Sequence, residues 1–159
     1  MTQAHASVAA RRTPYQESPA LLPLVVGGSG TPREGALSAE AQSLSAALAR
    51  WRRDGNAEAA LALLDVHERR FTRGALGVEA KVARAEILLA LVRRDQALVV
   101  LDSLALAGLP RARELETIRG ELRAQHGRCQ EARADLAPVS VGGNDDLSRR
   151  AARAMATCP

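Results

Sequence analysis

From residue 38 onward, apolar side chains recur with the period of an α-helix. In the segment 38–54, Leu44, Leu48 and Trp51 fall on one side at the i, i+4, i+7 spacing. Six further segments repeat this period, and residues that favour turns separate them. The predicted helices therefore span about residues 38–54, 56–73, 76–93, 95–107, 111–126, 128–137 and 145–157.

Capping residues and glycines define the ends of these helices. The predicted N-caps are Ser38, Asn56, Asp95 and either Asp145 or Asp146. Gly55 is predicted to end the first helix, because glycine adopts the left-handed conformation without steric cost. The third helix is expected to be the most buried, with an inward face formed by Val78, Val82, Ala85 and Leu89. The segment 138–144 is predicted to be a loop.

Residues 1–37 differ in composition from the rest of the chain. They contain Pro14, Pro19, Pro23, Pro32 and the run Gly27-Gly28-Ser29-Gly30. Proline removes helical hydrogen bonds and glycine adds conformational freedom, so this segment is predicted to be a flexible leader. Its longest apolar run, residues 20–26, is too short for a transmembrane helix and is interrupted by proline. Residues 38–159 form the predicted folded domain.

The first six helices repeat one another in pairs. Four positions align at the same offsets in each pair: Leu48-Gly55-Ala60-Leu64, Ala85-Val92-Ala97-Leu101 and Gly120-Gly127-Ala132-Leu136. In this alignment, the glycine provides a tight reversal between two helices. The small residue of the second helix lets its partner approach closely, and the leucine four residues later packs on the same stripe.

This spacing resembles the tetratricopeptide repeat, whose unit of about 34 residues carries small residues and a turn glycine at such offsets. The resemblance covers about residues 38–137 and is best in the third pair, with 145–157 as a terminal helix. Val92 replaces the turn glycine of the second pair, Leu48 replaces a small residue in the first, and the family's trailing proline is missing. The resemblance implies an α-solenoid, a right-handed array of antiparallel helical hairpins with a C-terminal capping helix. It also implies a concave groove that binds peptides or helices of partner proteins.

The chain is also similar to helical-repeat domains of extracytoplasmic regulatory proteins from GC-rich, myxobacteria-like genomes. That similarity implies a bacterial scaffold or sensor in an envelope-associated regulatory system. On the first helices of the three pairs, Arg50, Arg84 and Arg123 are candidate partner-binding residues. The alternative for each is an arginine that is simply solvated.

Composition supports an all-α fold and leaves one alternative function open. Aromatic residues make up only 2% of the chain, whereas β-sheets favour aromatic and β-branched residues. The net charge is +4, and Lys81 is the only lysine among the 22 basic residues. Because acidic residues are interleaved with the arginines, association with nucleic acid is the alternative and protein binding the main prediction.

No grouping of residues in the sequence predicts catalysis, a cofactor or a metal site. His67-Glu68 begins like a zinc-protease helix, but Phe71 stands where the second histidine would be required. Glu114, Glu116 and Glu121 have arginines at helical spacing, which is typical of surface ion pairs. The predicted function is therefore a non-enzymatic protein-interaction module.

The two cysteines carry information about the cellular compartment. Cys129 opens the sixth predicted helix and Cys158 follows the last one. If these helices pack antiparallel, a disulfide can form that closes a loop of about 28 residues and contributes about 3 kcal/mol. Such a bond predicts a periplasmic or otherwise extracytoplasmic domain. The alternative is two reduced thiols in a cytoplasmic protein.

Overall fold

The computed structural model describes residues 32–158, and all regular secondary structure in that range is α-helical. The helices are α1 (Pro32–Arg52), α2 (Ala57–Arg70), α3 (Gly77–Ala90), α4 (Arg94–Asp102), α5 (Ala112–Gln125), α6 (Cys129–Ser140) and α7 (Asp146–Ala156). The all-α prediction is confirmed. α1 begins at Pro32, before the predicted Ser38, in agreement with the preference of proline for the first helical position. The predicted leader up to residue 31 lies outside the described residues.

The helices pack mainly against their neighbours in sequence. Each helix contacts the next one, α1 also contacts α3, and α5 also contacts α7. The buried apolar residues form three clusters. The first lies mainly between α1, α2 and α3, the second between α3, α4 and α5, and the third between α6 and α7. The core is therefore assembled between successive neighbours.

Ion pairs show that α5 and α6 run antiparallel. Arg119 Nη2 lies 2.7 Å from Asp135 Oδ1, and Arg123 Nη2 lies 3.7 Å from Glu131 Oε2. The later residue of α5 thus pairs with the earlier residue of α6. This direction is the one that a short connection between two helices requires.

Small residues at the aligned positions bring the paired helices close together. The alanine of the second helix is 0% exposed in each pair: Ala60, Ala97 and Ala132. The leucines four residues later, Leu64, Leu101 and Leu136, are also 0% exposed. In the third pair, a Cβ atom added to Gly120 would lie 2.5 Å from Cγ of Leu136. A larger side chain at Gly120 would therefore force α5 and α6 apart.

The first pair has one extra residue before its turn. The sequence alignment therefore places the small residue of α1 one position too late, at Leu48. The N–H of Asn56 donates to the carbonyl of Arg50, six residues earlier, at 2.9 Å. The corresponding bonds of the second and third pairs span five residues. As a result, the small residue of α1 is Ala47, which is fully buried, and Leu48 beside it is only partly buried.

The three aligned turn residues share one backbone conformation. The φ angles are +64° at Gly55, +60° at Val92 and +70° at Gly127. The prediction that Gly55 adopts the left-handed conformation is confirmed. Val92 is unusual, because a β-branched side chain rarely adopts positive φ. Its side chain is 69% exposed, so packing does not compensate for the strain.

Two predicted caps are confirmed and two are wrong. Ser38 does not cap α1 but lies inside it. Asn56 accepts a hydrogen bond from the N–H of Ala59 at 2.9 Å, and Asp145 accepts one from the N–H of Ser148 at 2.8 Å. Asp95 does not cap α4 but lies inside its first turn. Its charge there is still favourable, since a helix N-terminus attracts anions.

Two further predictions about helix faces and ends are wrong. Val78 was expected in the core but is 41% exposed, although α3 carries more buried residues than any other described helix, as predicted. The predicted loop at 138–144 is partly helical, because α6 continues through Pro138 to Ser140. Val139 is buried in the third cluster, and this packing outweighs the hydrogen bond that the proline cannot donate.

A buried carboxylate attaches α1 to the connection between α2 and α3. Glu40 is 3% exposed, and its two oxygens accept hydrogen bonds from the N–H groups of Ala75 and Leu76, both at 2.9 Å. A Cβ atom added to Gly74 would overlap the Glu40 carboxylate. The glycine is therefore required for this close approach, and Glu40 provides the acceptor that the start of α3 needs.

The strain at Val92 predicts that a glycine stabilises the domain at this position. Val92→Gly should raise the free energy of unfolding by about 1 kcal/mol, because positive φ costs a non-glycine residue more than glycine loses in chain entropy. Urea unfolding followed by circular dichroism measures the change. Val99→Gly is the control, since Val99 is equally exposed but lies inside α4, where glycine should destabilise. Equal destabilisation by both substitutions would contradict the strain at Val92.

Candidate functional site

An apolar groove of about 250 Å³ lies between α1, α3 and the connection from α4 to α5. Its apolar lining consists of Leu44, Leu48, Val78, Val82, Ala83, Leu109 and Pro110. Leu44 belongs to the buried core, whereas Leu48, Val82 and Leu109 are partly buried and Val78 is exposed. The groove thus presents apolar side chains that intramolecular packing leaves accessible.

The groove exists because α3 is apolar on more than one face. Ala80, Ala83 and Ile87 face the first cluster and are buried. Val78 and Val82 lie on a different side of the same helix and line the groove. The helical period of the sequence predicts both valines in the core, and this prediction is wrong for Val78. The α3 segment has more apolar residues than one helix face can hold, and this excess is the sequence signal that could have revealed the groove.

Charged residues of both signs surround the groove. Arg111 Nη1 lies 2.6 Å from Glu86 Oε1, and Arg111 Nη2 lies 2.7 Å from Glu114 Oε1. The hydrogen bonds from Arg111 hold the pKa of Glu114 below its usual range, although burial partly opposes this shift. Arg52 and Glu79 also line the groove and have no ion-pair partner among residues 32–158. An apolar base with a mixed-charge rim is typical of a protein-binding site.

The three candidate arginines do not meet at one site. Arg50 is exposed and pairs with Asp54 at 3.1 Å. Arg84 is mostly buried and links α3 to Asp65 of α2 at 2.7 Å. Arg123 is also mostly buried and is part of a cluster between α4, α5 and α6. None of the three lines the apolar groove.

The cluster around Arg123 is a network of partly buried ion pairs. Arg123 Nη2 lies 2.8 Å from Asp102 Oδ1, and Arg123 Nη1 lies 2.8 Å from Asp135 Oδ2. Arg128 Nη1 lies 2.6 Å from Asp102 Oδ2. Burial raises the pKa of Asp102, but the hydrogen bonds from Arg128 and Arg123 outweigh it, so that this pKa lies below its usual range. These arginines therefore hold three helices together.

Ion pairing also limits the basic surface that nucleic acid could contact. Within residues 32–158, ten arginines pair with a carboxylate of the same range: Arg50, Arg84, Arg93, Arg111, Arg113, Arg119, Arg123, Arg128, Arg149 and Arg150. A phosphate would have to compete with these carboxylates. The positive net charge is thus a weaker argument for nucleic-acid binding than the composition suggested.

The structure joins Cys129 and Cys158 in a disulfide with their Cα atoms 5.5 Å apart. The bond connects the first residue of α6 to Cys158, which lies two residues beyond the end of α7. At the opposite ends of these helices, Ser148 Oγ donates to the carbonyl of Val139 at 3.0 Å. The two helices are therefore antiparallel, and Cys158 is buried in the cluster that they share.

One buried acid and one buried histidine were not expected from the sequence. His67 Nε2 lies 4.0 Å from Oε1 of Glu40, and both residues are almost fully buried. Neither ring nitrogen of His67 has a hydrogen-bond partner among the described residues. Its ring packs against Phe71, with the centroids 5.1 Å apart. Among residues 32–158, no group of three or more metal-ligating side chains is arranged to hold an ion.

The described helices give no evidence of a membrane span, since none of them combines the required length and hydrophobicity. Comparison with protein-family models, curated proteins and solved structures finds no match to this chain.

Removal of the disulfide should destabilise the domain. The combined substitution Cys129→Ser and Cys158→Ser should lower the free energy of unfolding by about 3 kcal/mol, because the bond restricts the unfolded chain over a separation of 29 residues. Urea unfolding measures this loss, and the parent protein under reductant should match the double variant. An unchanged unfolding midpoint under reductant, with two free thiols by intact mass, would contradict the stabilising role of the bond.

Proposed function

We propose that this domain is a non-enzymatic protein-interaction module that binds a peptide or a helix of a partner protein in the apolar groove. The single observation that carries this proposal is the accessible apolar lining, with Val78 41% exposed. Burial of such surface is the main driving force of protein association. A partner side chain inserted between α1 and α3 would gain this free energy.

The dimensions of the groove favour a peptide over a small molecule. Its volume of about 250 Å³ lies below the range of about 300–1,000 Å³ that is usual for small-molecule sites. An amphipathic helix places apolar anchors at i, i+3, i+4 and i+7 along such a groove. The mixed charges at the rim, which include Arg52 and Glu79, can then fix the orientation of the partner.

The repeated geometry supports a wider assignment to a tetratricopeptide-like array. The three connections share positive φ at Gly55, Val92 and Gly127, and the aligned alanines and leucines are all fully buried. In our proposal, the three pairs form a right-handed array of hairpins with a concave surface, and α7 covers its C-terminal end. The apolar groove lies on the first helices of the first two pairs.

The disulfide supports a location outside the cytoplasm. Disulfides persist in oxidising compartments, whereas cytoplasmic thiols are kept reduced. We propose that the domain acts as a scaffold or sensor of an envelope-associated regulatory system in a bacterium.

A peptide-display experiment with matched variants tests the groove. Peptides selected from a random library on the oxidised domain should carry spaced apolar residues. Val78→Glu should weaken their binding at least tenfold, or about 1.4 kcal/mol, because a carboxylate would enter the apolar lining. Fluorescence anisotropy measures the dissociation constants.

Val66→Glu provides the control for this experiment. Val66 is 48% exposed on α2 and does not line the groove, so its variant should bind as the parent does. If no peptide is selected, or if both variants lose binding equally, the apolar groove is not the partner site.

A further inference from the structure

A second groove, of about 660 Å³, lies where the start of α1 meets the connection between α2 and α3. Its lining includes Arg33, Arg70 and Arg73, together with Leu37 and Phe71. This cationic groove shares no residue with the apolar groove between α1 and α3.

The arginines of the cationic groove differ from those that hold α4, α5 and α6 together. Within the part of the chain that the structure describes, Arg33, Arg70 and Arg73 have no ion pair or hydrogen bond with a carboxylate. The groove has one carboxylate, that of Glu40, which is 3% exposed and accepts hydrogen bonds from backbone N–H groups. Three guanidinium groups against one buried carboxylate leave a net positive charge, which attracts anions.

Apolar side chains lie next to these three arginines. Leu37 is 46% exposed, and Phe71 is partly buried beside it in the lining. The guanidinium carbon of Arg70 lies 5.2 Å from the centroid of the Phe71 ring, a distance at which the ring attracts the cation. A ligand for this groove therefore needs negative charges and an apolar side chain close together.

We propose that the cationic groove binds an acidic peptide segment of a partner protein. Carboxylates of the segment pair with Arg33, Arg70 and Arg73, and an apolar side chain packs against Leu37 and Phe71. Charge complementarity favours this occupant, since guanidinium groups form strong charge-assisted bonds with carboxylates. This proposal shares with the proposed function only the assignment of a protein partner.

Shape and chemistry favour a peptide over a membrane or a nucleic acid. A bilayer would require apolar side chains that protrude, whereas Phe71 is partly buried in a concave surface. Stacking with a nucleic-acid base would require an open aromatic face, and the guanidinium of Arg70 lies over the ring of Phe71.

Binding of a model peptide tests this proposal. The probe is a fluorescein-labelled twelve-residue peptide of glutamate and aspartate with two leucines, and the reference peptide carries glutamine and asparagine instead of the acids. The parent domain should bind the acidic peptide at least tenfold more tightly than the reference. The double variant Arg70→Glu/Arg73→Glu should lose at least tenfold in affinity. Arg70→Gln/Arg73→Gln, which removes the two charges without reversing them, should also lose affinity, and it provides the test if the charge reversal impairs folding.

The matched control is the double variant Arg94→Glu/Arg153→Glu. Arg94 and Arg153 are exposed, have no carboxylate partner among the described residues and lie outside the cationic groove, and their reversal changes the net charge equally. This variant should retain binding within threefold of the parent. Equal losses in both double variants would overturn the proposal in favour of diffuse charge attraction.

Two further measurements separate the outcomes. In the first, the parent domain is tested with anionic vesicles and with a single-stranded oligonucleotide. If either binds more strongly than the acidic peptide, and this binding is lost in Arg70→Glu/Arg73→Glu, the peptide assignment is overturned. Val78→Glu should leave binding of the acidic peptide unchanged, so that failure at one groove is distinguishable from failure at the other. Absence of binding of the acidic peptide to the parent domain would also overturn the proposal.

Discussion

The domain depends on close contact between helices at positions where the side chain is small. An alanine in the second helix of each pair is completely buried, and a completely buried leucine follows four residues later. In the third pair, the facing position is Gly120, which leaves no space for a Cβ atom beside Leu136. The same constraint explains why the turns between paired helices are short and use positive φ.

This local constraint determines where the two grooves form. Extensive contacts lie within the helix pairs, whereas α1 and α3, which belong to different pairs, meet less closely. α1 and α3 leave the apolar groove between them, and the start of α1 leaves the cationic groove beside the connection from α2 to α3. At the opposite end of the domain, the disulfide and the third cluster fasten α7 to α6. The two grooves thus lie mainly in the N-terminal half of the described domain.

Much of the helical framework could be predicted because it depends on local rules. The helix period, the caps at Asn56 and Asp145 and the left-handed Gly55 follow from residues that are close in sequence. Val78 could not be assigned correctly, since its exposure depends on how far α1 and α3 separate. Pro138 was misassigned because a proline is tolerated inside α6 where tertiary packing holds the helix.

The candidate sites were less predictable than the helices. The sequence placed Cys129 and Cys158 at helix ends that could meet, and they do meet. It could not show which arginines have carboxylate partners, because those partners come from other helices. Arg84 and Arg123 are in ion pairs, whereas Arg70 and Arg73, which the sequence did not single out, have no carboxylate partner among residues 32–158.

The most direct test of this account compares the unfolding free energies of Ala60→Leu, Ala97→Leu and Ala132→Leu. Ala134→Leu is the control, since Ala134 is exposed on α6, the same helix as Ala132. The account predicts that each of the three buried substitutions destabilises the domain by about 1–3 kcal/mol, because an overpacked interface must open, and that the control changes little. A buried substitution that is as harmless as Ala134→Leu would contradict the claim that all three pairs share one close contact.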